Sequence, residues 1–406
     1  MLLDESTGES PEVAASAVSG YLVAFVFMGL VLTMSGPALS HLRDRMHTND
    51  GGVAWVFVGQ ATGYIIGTIL GGRAFDGGRG HRWWSMAIVT CLLAVMAVSA
   101  APNMTVLVVA FAVLGGSCGV ADVGGNTLVM WSRPQGPGAL LNALHLCFAI
   151  GAVTAPIVVN RSLHWTHSLW GVVLPAAVLA VMAVWVLWPR PSPRHTRAAT
   201  LERSSAGGAR GLHVALVALF FFGYVALEGG FAGWIHTYVE QIHYGDATTA
   251  TGVVTTFWAG FTFGRAVSIW VARRFSPGSM VAASMGVTVA AAVLFAIFRD
   301  GGPMLWVVTF LFAVSIAPQY ASMMAFAEAH LAMSGRNTSV LIGASGIGGL
   351  FLPWLLGQLF DHVGPQSLPP VMVVTSVVTS LLALLAGRVI LAAHRPPAVS
   401  MKLPVT

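Results

Sequence analysis

The chain has 406 residues, of which 56% are hydrophobic and only 9% charged, with a formal net charge of +5. Soluble domains carry about 25% charged residues, so this composition excludes a soluble globular protein. The positive balance sits in short turns between apolar runs, which explains it by membrane topology and gives no case for nucleic-acid binding.

A membrane-crossing helix needs roughly 20 apolar residues. Segments of that kind follow one another at 17–40, 52–72, 83–101, 104–131, 139–160, 167–188, 212–239, 248–271, 278–298, 303–328, 338–360 and 370–391. They predict an all-α membrane protein with twelve transmembrane helices. Asp300-Gly301-Gly302-Pro303 and Gly364-Pro365 punctuate them as turns. Residues 1–16 form an acidic N-terminal segment without a basic n-region, so no cleaved signal is expected. Residues 17–188 form a first six-helix bundle, 189–211 a basic linker rich in Pro, Ser and Gly, 212–391 a second bundle, and 392–406 a tail.

Basic residues set the orientation. With the N-terminus in the cytoplasm, only Arg43, Arg45, Arg161 and Arg299 of the twenty Lys and Arg fall outside. Both termini, the linker and the tail are then cytoplasmic. The Arg-rich, Ala-, Val- and Gly-rich composition points to a bacterium and hence to its cytoplasmic (inner) membrane. Cys91, Cys118 and Cys147 lie inside spans and read as packing residues. No phosphate-binding glycine loop and no cluster at metal-ligand spacing occurs. No cofactor and no enzymatic site are therefore expected.

The two halves echo each other. Gly72-Arg73-Ala74 ends span two and Gly264-Arg265-Ala266 lies near the end of span eight. Gly151-Ala152-x-x-x-Pro156 in span five matches Gly348-Gly349-x-x-x-Pro353 in span eleven. Two matches in order at nearly equal offset predict a six-plus-six duplication into pseudo-symmetric bundles, a mark of secondary transporters. Twelve spans, a basic central linker and the turn after span two resemble the major facilitator superfamily across nearly the whole chain. That family's turn reads Gly-x-x-x-Asp-basic-x-Gly-basic-basic. Here Gly72 and Asp76 match, Gly77 replaces the first basic residue, and Arg79-Gly80-His81-Arg82 follows about one residue late. The resemblance implies conformational gating by Gly72, Asp76, Arg79 and Arg82, with Arg265 at the repeated position.

Span four supplies the sharpest signal. Asp122 lies in LGGSCGVADVGGNTLVMW, with Asn126 one helical turn later. Even the lenient insertion scale charges about 2.5–3.5 kcal/mol for an acid at that depth, so it reads as functional. Gly115, Gly119, Asp122 and Asn126 share one helix face. Spans four and five, GVADVGGNTLVMW and LNALHLCFAIGAVTAP, are similar to the branch containing fucose permease and the sodium-dependent glucose transporter. That branch carries an acid four residues before an Asn, and a polar pair before Gly-Ala, matched by Asn142, His145 and Gly151-Ala152. The fucose permease pattern also has an acid in span one, which Tyr21–Ser40 lacks, so Glu228 is the second candidate for coupling.

Glu228 lies among Gly223, Gly229, Gly230 and Gly233, with Tyr224 one turn before it and Trp234 after it. Flanking aromatics suit a sugar, which offers apolar ring faces and hydroxyls; interfacial anchoring explains them as well. His145 reads equally as a proton relay, a donor to substrate, or a satisfied core histidine. Gln60, Trp258 and Gln319 complete the candidate binding residues, Gln319 because it is the repeat counterpart of Asp122. The expected activity is alternating-access symport of a sugar or similar small polar solute with a proton or sodium, by a monomer in the lipid bilayer. A proton-coupled exporter is the alternative. It is disfavoured because span four has no Arg and Ala155-Pro156 is followed by no Gly-Gly. A sensor lacks room for a signalling domain, and an enzyme lacks a nucleophile–base pair or metal cluster.

Overall fold

The computed structural model describes residues 11–75, 79–132, 138–192, 211–331 and 335–393. The described chain is helical throughout: α1 (Pro11–Leu32), α2 (Ser35–Arg45), α3 (Asp50–Val53), α4 (Trp55–Ala74), α5 (Gly80–Ala100), α6 (Met104–Ser132), α7 (Gly138–Thr166) and α8 (Trp170–Leu187) precede the linker. After it come α9 (Gly211–Gln241), α10 (Ala247–Val271), α11 (Pro277–Ile297), α12 (Pro303–Ile316), α13 (Gln319–His330), α14 (Gly335–His362) and α15 (Leu368–Ala393).

Among the described residues, ten helical segments are long and apolar enough to cross a membrane. The pair α1–α2, bent by 41° at its break, makes an eleventh. The remaining predicted span is α10. It has the length, 25 residues, but Thr255, Thr256, Gly260, Thr262, Gly264 and Arg265 dilute its apolarity. Those residues belong to a helix packed against α7, α9 and α12, where a polar face does not need to meet lipid. The first helix starts at Pro11, six residues before the predicted span. Span ten is divided at Ala317-Pro318 into α12 and α13.

Local chemistry sets the breaks. Asn49 caps α3 by accepting from the Gly52 N–H at 2.8 Å, and Asp246 caps α10 by accepting from the Thr249 N–H at 2.9 Å. Pro303 stands in the first turn of α12, where its missing N–H costs nothing. The glycines before it, Gly301 and Gly302, take φ of 97° and 94°, a region that a Cβ disfavours.

Packing repeats between the halves. In the first, α1 packs on α7 and α8, α4 on α6, α5 on α6, and α5 on α8. In the second, the corresponding pairs are α9 on α14 and α15, α10 on α12, α11 on α12, and α11 on α15. The contacts between halves repeat too: α4 meets α14, and their counterparts α10 and α7 meet each other. The Gly-Arg-Ala and Gly-x-x-x-Pro matches thus fall on equivalent helices.

Candidate functional site

The tightest helix pair positions the span-four acid. Helices α4 and α6 approach through glycine. A Cβ on Gly63 would lie 1.9 Å from the Ala112 carbonyl oxygen, and one on Gly119 would lie 2.3 Å from that of Tyr64. Small residues allow such backbone approach where lipid offers no hydrophobic drive. Across this seam the Tyr64 hydroxyl donates to Asp122 Oδ2 at 2.6 Å. Asn126 Nδ2 donates to Asp122 Oδ1 at 3.0 Å and to the Asp122 carbonyl at 2.9 Å. Both carboxylate oxygens therefore accept from neutral donors, with no cation bonded to them among the described residues. Replacing Gly119 with Ala is expected to push α4 away and break the Tyr64–Asp122 bond, at a packing cost of about 1–3 kcal/mol. A lowered unfolding temperature together with lost transport would show it; unchanged transport would refute the positioning role of the seam.

A second cluster lies on α9 and α10. Tyr224 is buried, and its hydroxyl makes no well-formed hydrogen bond among the described residues. It stands beside both Glu228 and Arg265. The Arg265 guanidinium covers the Phe261 ring with its carbon 4.4 Å from the centroid. Tyr320 on α13 joins the clusters, since its ring lies 5.7 Å from that of Tyr224 and it senses the charges of Asp122, Glu228 and Arg265. His145 enters from α7 of the other half. It is accessible, yet its ring meets the buried Phe25 edge-on at 6.1 Å and lies within electrostatic range of Arg265 and Asp122. Its access is therefore to the gap between the halves. Two acids, one guanidinium, one imidazole and three phenols surround that gap, which suits a hydroxylated solute and a small cation.

A profile of the Major Facilitator Superfamily matches residues 21–353. The chain belongs to the major facilitator superfamily. It is a transporter and not an enzyme. It is 28% identical to Sodium-dependent glucose transporter 1 of Danio rerio over 392 residues, covering 87% of this chain and 65% of that one. It is 25% identical to Sodium-dependent glucose transporter 1A of Mus musculus, covering 84% and 88%. The chain thus spans just under two thirds of the fish relative and most of the mouse one. Among solved structures, the nucleoside transporter NupG superposes with a TM-score of 0.75 at 13% identity, covering 92% of this chain and 99% of that one. The E. coli fucose:proton symporter FucP superposes with a TM-score of 0.62 at 17% identity, covering 91% and 98%. At these identities the structures establish the shared fold.

Within this superfamily fold, several expected site residues have other duties. Gln60 Nε2 donates to the Leu32 carbonyl at 2.7 Å, tying α4 to the break after α1. Gln319 is buried and donates to Thr288 Oγ1 at 2.7 Å and to the Ser315 carbonyl at 3.1 Å, so it joins α13 to α11 and α12. Trp234 donates its indole N–H to the Pro353 carbonyl at 2.8 Å and packs on Phe57 and Phe360, a helix-joining role. Trp258 is buried against Phe257 and Phe261, next to the Arg265 perch. Asp76 and the Asn142 side chain lie outside the described residues. Gly72 is in the last turn of α4, and Arg79 and Arg82 are exposed at the start of α5. Arg265 departs from the expected cytoplasmic gate: it belongs to the central cluster.

A cluster of contacts between the halves is present at the opposite end of the helices. Asp361 accepts from the N–H groups of Asp50 at 2.8 Å and Gly51 at 2.6 Å, and Gln358 donates to the Gly51 carbonyl at 3.0 Å. Asp50 in turn takes Gln241 at 2.6 Å and Arg43 at 3.0 Å, while Ser40 bonds to Glu240. Gly36 lies against the Ala232–Gly233 backbone. These contacts join the two halves. Tyr64, Tyr320, Asp50 and Asp361 are not among the candidates that the sequence singles out. Tyr64 sits four residues after Gln60, amid Gly59, Gly63 and Gly67, and that glycine row was its available signal.

Proposed function

We propose that the chain is a cation-coupled symporter of a sugar or a similar small polar solute, driven by a proton or sodium gradient across a bacterial cytoplasmic membrane. The observation that carries this reading is Asp122. It is a carboxylate held by Tyr64 and Asn126 at the seam of α4 and α6, in electrostatic range of His145 and Tyr320. An acid so placed loads a proton, or presents oxygen to sodium, in one state and releases it in the other. Glu228 is the second coupling candidate and, with Asn126, His145, Tyr224 and Trp258, lines the solute position. Asn142 on α7 belongs to the same proposal. The names of the relatives, sodium-dependent glucose transporters and a fucose:proton symporter, support a sugar. With both termini cytoplasmic, the Asp50–Asp361 contact closes the outer face, so the described arrangement is closed to the outside. Function as a monomer is part of the same reading.

The test is uptake of labelled hexoses, deoxyhexoses and hexuronates by the purified protein in proteoliposomes, under an imposed pH or sodium gradient. Accumulation of at least one above its equilibrium level, under one of the two gradients, is expected. Absence of accumulation for every sugar under both gradients would overturn the sugar assignment.

A further inference from the structure

Arg265 stands in the central gap with no anion in contact. The ion pairs among the described residues join Arg43 to Asp44 and Asp50, His236 to Glu240, and Arg299 to Asp300; none involves Arg265. Its guanidinium is half-buried over Phe261. A charge held inside a protein without a bonded counter-ion is costly. Beside it lies the fully buried Tyr224 hydroxyl, which has no well-formed hydrogen bond among the described residues and has Arg265 and Glu228 as its charged neighbours. From the other half His145 comes within range of the same guanidinium. Two potential donors, the guanidinium and the phenol, therefore sit together on the α9–α10 side, with the imidazole within electrostatic range from the other half. By contrast, the acid on α6 already has both oxygens bonded. The acid on α6 is thus satisfied, whereas the α9–α10 side carries a guanidinium unpaired among the described residues and a phenol beside Glu228.

We propose that Arg265 and the Tyr224 hydroxyl form an anion subsite, and that the transported solute is a sugar acid, a polyhydroxylated ring bearing one carboxylate. The proposal rests on the sugar reading above and narrows it. A guanidinium offers a planar pair of N–H donors that matches a carboxylate, and the phenol supplies a third bond. One positive charge beside Glu228 suits a monoanion and disfavours a phosphate dianion. Glu228, the second coupling candidate, tunes the subsite by its charge. It lies close enough for its charge to act with that of Arg265 on Tyr224, but outside ion-pair distance of the guanidinium. While ionised, Glu228 repels an incoming carboxylate. Neutralising Glu228 removes the repulsion, so the subsite fills when Glu228 is uncharged, while the coupling to the gradient stays with Asp122.

The test compares labelled glucuronate and glucose in proteoliposomes under pH and sodium gradients, for wild type, Arg265→Gln, Arg265→Lys and Tyr224→Phe. Wild type is expected to accumulate glucuronate at least ~10-fold over glucose, the factor set by one charge-assisted contact. Arg265→Gln should lose glucuronate accumulation, Arg265→Lys should recover part of it, and Tyr224→Phe should raise the glucuronate KM with little change in kcat. Monodisperse elution and an unchanged unfolding temperature of the Gln variant separate this loss from misfolding. Accumulation of glucose with none of glucuronate would leave the sugar reading standing and overturn the anion subsite. Glucuronate uptake unaffected by Arg265→Gln would also overturn it. Accumulation of no sugar at all would overturn both.

Discussion

Asp122→Asn is expected to abolish gradient-driven accumulation while solute exchange down its own gradient persists. The amide has the volume of the carboxylate and still accepts the Tyr64 hydroxyl through one oxygen. It neither takes up a proton in the working range nor offers sodium a charged oxygen. The solute keeps the α9–α10 groups, so binding and the rocking of the halves continue. What disappears is the thermodynamic link between cation and solute. Such couplings are typically 1–3 kcal/mol, or roughly 5–150-fold in affinity. The solute affinity of wild type should therefore rise with the coupling ion by a factor of that order, and that of the variant should not respond. Accumulation surviving in Asp122→Asn but lost in Glu228→Gln would transfer the coupling role to α9. Survival in both would refute cation coupling through either acid.

The acids were legible in the sequence because charge inside an apolar run is expensive wherever it points. Asp122 and Glu228 could be selected without knowing a single contact. The repeats were legible because Gly-Arg-Ala and Gly-x-x-x-Pro are unusual short strings on helices that pack equivalently. The partners of those acids were less visible. Tyr64 is an ordinary membrane-helix residue until the glycines at 63 and 119 bring its helix against α6 and aim its hydroxyl at Asp122. Repeat spacing alone marks Gln319, as the counterpart of Asp122. The break at Ala317-Pro318 starts a new helix there, and its side chain enters a buried network with Thr288 and Ser315. The repeat assigns Arg265 to a gate because its repeat partner lies beside a cytoplasmic turn. Position along α10 and neighbourhood across the gap are different properties, and only packing reveals the second. The same limit hid Asp361, which looks like a solvated acid at a helix end until α14 is placed against α3 and α4.

Replacing Asp361 with Ala is expected to open the face that it now holds shut. Its two oxygens accept the N–H groups of Asp50 and Gly51, donors that begin a helical stretch and have no partner within it. The positive end of that stretch favours the negative charge further. Gly51 is needed for the contact, because a Cβ there would lie 2.5 Å from Asp361 Oδ2 and 2.9 Å from Gln358. Hydrogen bonds to charged groups contribute about 1.5–3 kcal/mol each when shielded from water. Asp361 is exposed and water competes, so about 1–3 kcal/mol for the pair is the reasonable range. That corresponds to roughly 5- to 150-fold in the balance between states closed and open at this face. Spin labels at Asp44 and Val363, in a protein freed of its native cysteines, would report the balance as a distance distribution. The Ala variant should gain a longer-distance population, and Gly51→Val should gain the same one by blocking the approach. Transport should slow in both, because a cycle biased toward one state must climb back to the other at every turn. If both variants retain the wild-type distances, closure of this face belongs instead to Ser40–Glu240 and the Gly36 contact on α2 and α9.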